Sequence, residues 1–274
     1  MPLLPHASIG VALDEVDTPA LVLDLDALER NLLRMADAVK ESGVRLRPHA
    51  KSHKCAQIAR AQIAAGAVGV CCQKVSEAEA LVAGGVADVL VTNEIVGRQK
   101  TERLARLARE AKVAVLADDA DNVADLDAAA REEGVRLDVL VEVNVGADRC
   151  GIAPGEPALE LARRIAACRS LRFTGLHAYH GSAQHVRDPG ARRAAIAGAA
   201  EKARLTKTLI EGAGIACETV TGAGTGTFLL ESTSRVFNEI QPCACARERS
   251  RPYGRSPREG RCTKGALRVI SPPH

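Results

Sequence analysis

Short runs of apolar, often β-branched residues alternate along this chain with longer stretches in which apolar positions recur every three or four residues. The first pattern suits a strand covered on both faces, the second an amphipathic helix, and their regular alternation predicts parallel βα units. Strands are expected at 20–24 (A-L-V-L-D), 44–48, 67–72 (A-V-G-V-C-C), 88–91, 113–117 (V-A-V-L-A), 138–143 (D-V-L-V-E-V), 172–178 and 217–221. A ninth, weaker candidate lies at 236–240 (V-F-N-E-I).

The clearest helix is 26–42, where Leu28, Leu32, Met35, Ala36 and Val39 make one apolar stripe, Asp26 can cap the start and Gly43 stands just past the end. Helices at about 54–65, 75–83, 98–111, 121–133, 156–168 and 190–213 follow the same logic. A spacing of roughly 20 to 40 residues from strand to strand fits helical crossovers and excludes a β-sandwich. Two architectures remain, a (β/α)8 barrel and an open doubly wound sheet. The glycine fingerprint of a dinucleotide site is missing after the early strands, which lowers the second.

With 274 residues, 46% of them apolar, the chain can bury a large core, as one barrel or two ordinary domains. There is no Trp, and only 2 Tyr and 3 Phe, so packing rests on Ala, Val, Leu and Ile. The net charge of +3 is uneven: from Cys243 onward eight Lys or Arg face two acids, a local +6, which leaves −3 on the preceding 242 residues. A mildly acidic body with a basic tail is not a nucleic-acid binder's pattern. No apolar run approaches the roughly 20 residues of a membrane span, and residues 1–10 lack the features of a signal peptide. Cys55, Cys71, Cys72, Cys150, Cys168 and Cys217 sit in or beside apolar stretches without a C-x-x-C pair, and read as reduced thiols of a cytoplasmic protein.

A barrel carries its active site at the C-terminal ends of its strands. Here 44–48 leads to His49, Ala50 and Lys51, 67–72 to Gln73, and 88–91 to Thr92 and Asn93. Strand 138–143 delivers Asn144 and then Arg149; 172–178 carries His177 and ends at Tyr179 and His180; 217–221 opens into G-A-G-T-G-T at 222–227. Polar residues often begin loops, which accounts for any one of these but poorly for six, and this favours the barrel.

The glycines permit close backbone approach to a phosphate, although a flexible turn reads the same way. Lys51 lies among Arg47, His49, His53 and Lys54, and positive surroundings favour the neutral amine that a Schiff base requires. A solvated basic turn is the plainer alternative. Together, a Schiff-base lysine and a phosphate cradle point to pyridoxal phosphate (PLP).

Several motifs in order resemble one family: D-T-P-A-L-V-L-D-L-D at 17–26, R-P-H-A-K-S-H-K at 47–54, Q-K-V-S-E-A-E at 73–79 and T-N-E at 92–94. E-V-N-V-G-A-D-R-C-G at 142–151, G-L-H-A-Y-H-G at 175–181, the glycine segment and F-N-E-I-Q-P at 237–242 continue it. The match is to the D-threonine aldolase, 3-hydroxy-D-aspartate aldolase and D-serine dehydratase family of fold-type III PLP enzymes, related to alanine racemase.

The resemblance implies that Lys51 carries PLP, that Gln73 and Thr92 line its site, and that Arg149 and Tyr179 contact the ring or its substituents. Gly224, Thr225 and Gly226 would bind the phosphate, and His53 would handle a proton. It also moves strand 20–24 into a separate β-domain and makes 236–240 the eighth barrel strand. The implied reaction is cleavage of a D-3-hydroxy amino acid to glycine and an aldehyde, assisted by a divalent metal (Mn, Mg or Zn) in a homodimer. A D-serine dehydratase-type ammonia-lyase and a non-catalytic PLP carrier are the alternatives.

After Pro242 the pattern stops. The family's second domain, with its metal pair, gives way to C-A-C-A-R-E-R-S-R-P-Y-G-R-S-P-R-E-G-R-C-T-K-G-A-L-R-V-I-S-P-P-H, whose composition offers little to a core. The expectation is threefold: residues 1–25 with an orphan strand, a PLP-binding barrel at 26–242, and an aberrant, disordered tail at 243–274 from a single-base slip. No metal ligands are assigned, and impaired catalysis is expected.

Overall fold

The computed structural model describes residues 8, 10–17, 20–243 and 267–270. Eight parallel strands form one curled sheet with helices on its outer face, the parallel βα units expected from the alternating pattern in the barrel arrangement that the resemblance implies. After β1 (Ala20–Leu23) and α1 (Leu25–Ser42), the chain runs β2 (Arg45–Leu46), α2 (Ala56–Ala64), β3 (Val70–Cys72), α3 (Val75–Ala83) and β4 (Asp88–Glu94). Next come α4 (Arg98–Leu107), β5 (Lys112–Ala117), α5 (Ala120–Glu133), β6 (Leu137–Glu142), α6 (Glu156–Ala167) and β7 (Leu171–His177). The set ends with α7 (Pro189–Gly212), β8 (Thr219–Gly222), α8 (Phe228–Ser232), β9 (Glu239–Ile240) and β10 (Leu267–Ile270).

The sheet order is β2-β9-β8-β7-β6-β5-β4-β3. Its two ends meet as well: Val68 N donates to Leu46 O at 2.9 Å, Cys71 N to Pro48 O at 2.8 Å, and His49 bridges Cys71 in parallel. The seam between β2 and β3 is thereby sewn, and the ring closes. Strand alternation sorts the side chains. Cys71, Leu90, Leu116 and Leu140 pack together inside the ring, while Val70, Val89, Val91, Val115, Val139 and Val141 meet the helices outside. α1 lays Leu28, Leu32, Met35 and Val39 against Leu46, Ile58 and Ile240. Burying each such side chain stabilises the fold by about 1.5–3 kcal/mol.

The termini of α1 show where local reading went astray. Asp24, not Asp26, is the cap: it is extended (φ −76, ψ 106) and accepts from Ala27 N at 2.9 Å. β1 ends one residue earlier than expected, which puts Asp26 inside the first turn. Gly43 does close the helix, at φ 69, with its N–H on Val39 O and Lys40 O. The short α8 has no apolar period to reveal it.

Strand 20–24 is not an orphan. Ala20–Leu23 pairs antiparallel with Leu267–Ile270, Ala20 opposite Ile270 and Leu23 opposite Leu267. The L-R-V-I run, too short to stand out in its surroundings, finds ladder partners there. The rest of the expected aberrant tail, beyond Cys243, lies outside the described residues. Among the described residues no helix is long and apolar enough to cross a membrane.

At the N-terminal end of the ring, charges replace the apolar filling. Arg47 donates to Asp88 at 2.6 Å and to Glu239 at 3.1 Å, Lys112 pairs with Asp88 at 3.0 Å, and Arg172 forks onto Asp138. Burial works against the Arg47 charge, but Glu239 and Asp88 outweigh it and raise its pKa.

Candidate active site

At the opposite, C-terminal end the strands open into a cleft of ≈ 350 Å³. Lys51, Gln73, Thr92, Arg149, Tyr179 and Gly224 line it, delivered from β2, β3, β4, β6, β7 and β8. His49, His177, Ala223, Gln241 and Cys243 complete the wall. Of the residues expected at the site, His53, Thr225 and Gly226 do not line the cleft.

Lys51 rides on a single 3-10 turn, Ala50–Ser52, that follows β2. The positive crowding expected around it is dispersed by the fold. Arg47 points to the other end of the ring, and Lys54, at φ 50, turns its amine onto Glu77. Burial is the main cause that lowers the pKa of His53, and its Nδ1 accepts from Cys55 N at 3.1 Å, so this ring braces the start of α2. His49 is pushed to about 2, first by burial and then by the charges of Lys51 and His177, and is therefore neutral.

Thr92 belongs to β4, whose pairing with β5 shifts register between Val91 and Glu94. Its hydroxyl donates to Cys72 O at 3.1 Å and meets His49 Nε2 at 2.9 Å. Asn144, which the strand-end reading singled out, organises the following loop: Oδ1 accepts from Gly146 N and Asp148 N, and Nδ2 donates to Asp148. That loop presents Arg149 with its guanidinium 5.5 Å from the centre of the Tyr179 ring, a cation–π contact, and 3.8 Å from Glu142 Oε1.

Beneath the cleft His177 is 2% exposed and Glu142 is also 2% exposed. Nδ1 of His177 bonds to Glu142, and Nε2 meets Gln241 Oε1 at 3.1 Å. Gln241 Nε2 donates to Thr221 at 2.8 Å, which fixes the amide so that His177 must donate to its oxygen. Burial alone would deprotonate this ring, but the Glu142 charge and hydrogen bond outweigh it and raise the pKa. With Glu142 and the Gln241 oxygen as its two acceptors, the ring has the hydrogen-bonding pattern of the protonated form. His177 was visible as a strand-end residue, but nothing local marked Glu142 or Gln241 as its partners.

The glycine segment leaves β8 through Gly222, where a Cβ would sit 2.7 Å from Ala178 O, and Ala223, at φ 70. A Cβ on Gly224 would come within 2.6 Å of the Gln184 side chain. Gln184 accepts from Gly226 N at 2.7 Å and donates to Thr227 Oγ1 at 2.6 Å. An amide oxygen thus occupies the loop's N–H. Thr225 Oγ1 accepts from Cys243 N at 3.1 Å and so ties the end of the barrel to the loop.

Among the described residues, Glu94, Glu142 and Cys150 hold ligand-type atoms within 4.8 Å of one another. Glu142 already balances His177 and lies beside Arg149, so a dication there would face two fixed positive charges. These residues do not fit a metal centre.

Residues 23–244 match the family model for the alanine racemase N-terminal domain. The chain is 44% identical over 257 residues to a 3-hydroxy-D-aspartate aldolase of Paracoccus denitrificans, covering 93% of this chain and 65% of that protein. A D-threonine aldolase of Arthrobacter sp is 45% identical over 237 residues, covering 86% of this chain and 62% of that protein. The crystal structure of D-threonine aldolase from Filomicrobium marinum matches with a TM-score of 0.91 at 48% identity, covering 97% of this chain and 72% of that one. The chain therefore spans 62% to 65% of the length of these two curated relatives.

Proposed function

From its membership of the alanine racemase N-terminal domain family, we propose that this chain supplies the cofactor barrel of a PLP-dependent lyase. Its substrates in this reading are D-3-hydroxy amino acids of the D-threonine or 3-hydroxy-D-aspartate kind, cleaved to glycine and an aldehyde. The observation that carries it is the convergence of a lysine amine, an arginine beside an aromatic ring and a glycine loop on one cleft.

The donor set fits the cofactor. An aldehyde needs a primary amine, which Lys51 supplies at the cleft wall. A phosphate needs a backbone that it can approach closely; Gly224, which lines the cleft, has no Cβ to obstruct it, while the Gly226 N–H behind it is held by the Gln184 oxygen. Arg149 and Tyr179 offer a cation and a flat face for the ring. When bound, PLP withdraws electrons from the bonds at the α-carbon of the substrate amino acid.

The chain's own groups do the rest. His177 sits buried under the cleft against Glu142, which holds the ring in place and offsets its charge. Gln241 fixes that ring from the far side, and Arg149 at the mouth is the cation that favours a substrate carboxylate.

The relatives named aldolases favour carbon–carbon cleavage over loss of ammonia. Metal dependence belongs to this reading only by resemblance. The homodimer implied by the family and a cytoplasmic setting belong to it too.

The test is to load the protein with PLP, reduce with borohydride and map the adduct, with Lys51→Ala as control. An adduct at Lys51 is expected, with acetaldehyde release from D-threonine well below that of a full-length relative. Any acetaldehyde supports the aldolase and keto-acid formation the dehydratase, whereas an adduct with no turnover at all favours the PLP carrier. A colourless protein with no adduct at Lys51 overturns the proposal.

A further inference from the structure

We propose that His49 is a positioning residue for Lys51: a neutral imidazole whose Nδ1 accepts the Lys51 backbone N–H and whose Nε2–H is anchored on Thr92. The inference rests on the reading of Lys51 as the cofactor amine, and deepens it.

The proton inventory fixes the roles. Lys51 N lies 3.3 Å from His49 Nδ1, and a backbone N–H can only donate, so Nδ1 carries a lone pair. The ring's one remaining proton is on Nε2, 2.9 Å from Thr92 Oγ1. Thr92 accepts it and spends its own hydrogen on Cys72 O at 3.1 Å. Every donor in the series has an acceptor, and the series has one direction. A protonated His49 would break it, because Nδ1–H would face the Lys51 N–H. Burial and the neighbouring charges of Lys51 and His177 act against that state.

The geometry explains why a side chain is needed. His49, extended at φ −89 and ψ 108, is the last residue before the 3-10 turn that carries Lys51, and follows β2 after Arg47 and Pro48. The turn begins where the ladder ends, so the Lys51 N–H takes its partner from a side chain. His49 caps it as an Asx side chain caps a turn, two residues ahead. The same residue bridges Cys71 across the seam that closes the barrel. Thr92 lies on β4, one strand beyond. The Lys51 turn is therefore referenced to three strands, and its amine starts from a fixed backbone at the cleft wall.

A core histidine that merely fills space predicts something different from this arrangement, and two near-isosteric replacements separate the two. In His49→Asn the amide oxygen can replace Nδ1; in His49→Gln the terminal amide can replace Nε2 but reaches past the Lys51 N–H. Two readouts are used on the full chain. Hydrogen exchange of the Lys51 backbone amide, without cofactor, reads the turn itself. The rate of PLP capture, from borohydride trapping mapped to Lys51, reads its consequence.

The expected pattern is exchange protection and capture within about threefold of wild type in His49→Asn, with both reduced about tenfold in His49→Gln, as for loss of one hydrogen bond. Thr92→Val should fall between them. Circular dichroism and thermal unfolding confirm that each variant is folded; if His49→Gln fails to fold, Thr92→Val with His49→Asn decides alone. Equal behaviour of Asn and Gln variants, or wild-type capture in His49→Gln, overturns the proposal. If wild type captures no PLP but the exchange pattern holds, the functional reading fails while the His49 cap stands.

Discussion

Replacing Glu231 by Gln should make the protein gain stability on wild type as pH rises. Glu231 lies in α8 behind the glycine loop and is 2% exposed. Its Oε1 accepts the Thr227 hydroxyl at 2.8 Å, while Oε2 is buried without a partner. Burial, opposed by the Thr227 hydrogen bond, pushes its pKa from 4.5 up to about 7. In the unfolded chain the carboxyl ionises at the lower value; in the fold it holds its proton to the higher one. Between them the native state binds more protons than the unfolded state, so stability is full below the unfolded value and is lost as pH rises through the folded one.

A shift from 4.5 to about 7, at roughly 1.4 kcal/mol per pH unit, is worth about 3–3.5 kcal/mol. Tyr179 is the other titratable group that feels Glu231, and it stays neutral through this range, its own pKa raised chiefly by burial. Gln keeps the acceptor for Thr227 and removes the ionisation. Urea unfolding of both proteins from about pH 5 to about pH 8 measures the difference, which should grow by most of that amount in favour of the variant. A difference that stays constant across the range would refute the reasoning, because the carboxyl would then titrate alike in both states.

Arg47→Met should destabilise by about 3–5 kcal/mol, since it leaves Glu239 buried with its better partner gone. Denaturant unfolding should show part of that loss recovered in Arg47→Met/Glu239→Gln, and no recovery would argue against the ion pair. Gly175→Ala should cost at least about 3 kcal/mol or abolish folding, because its Cβ would lie 1.9 Å from Thr219 O where β7 pairs with β8, at φ +149. A soluble, wild-type-like Gly175→Ala protein would show that the two strands can separate without loss.

Local periodicity was enough to mark the strands and the seven long helices, because alternation and the helical repeat are written in neighbouring residues, but only the family resemblance told strand 20–24 apart from the barrel and made 236–240 its eighth strand. Gly43 and the glycine segment were legible for the same reason: a left-handed cap and an unobstructed loop are properties of one or two positions. The residues carried to the C-terminal rim were also readable, since a strand's end is a local fact. What they meet there was not. His177 finds Glu142 and Gln241, 35 and 64 residues away along the chain.

Arg47 leaves the Lys51 neighbourhood for Asp88 and Glu239, His53 turns to α2, and Ala20–Leu23 acquires a partner at Leu267–Ile270. Those outcomes depend on the register with which strands close into a ring, and a shift of one residue would send each side chain to the opposite face. Sequence determined the long helices and the barrel strands, and which end of them carries chemistry, but not the short α8 or the Leu267–Ile270 strand. Tertiary structure decided the pairing of charges, the tautomer of His49 and the membership of the cleft, because burial and proximity arise only when distant strands are brought side by side.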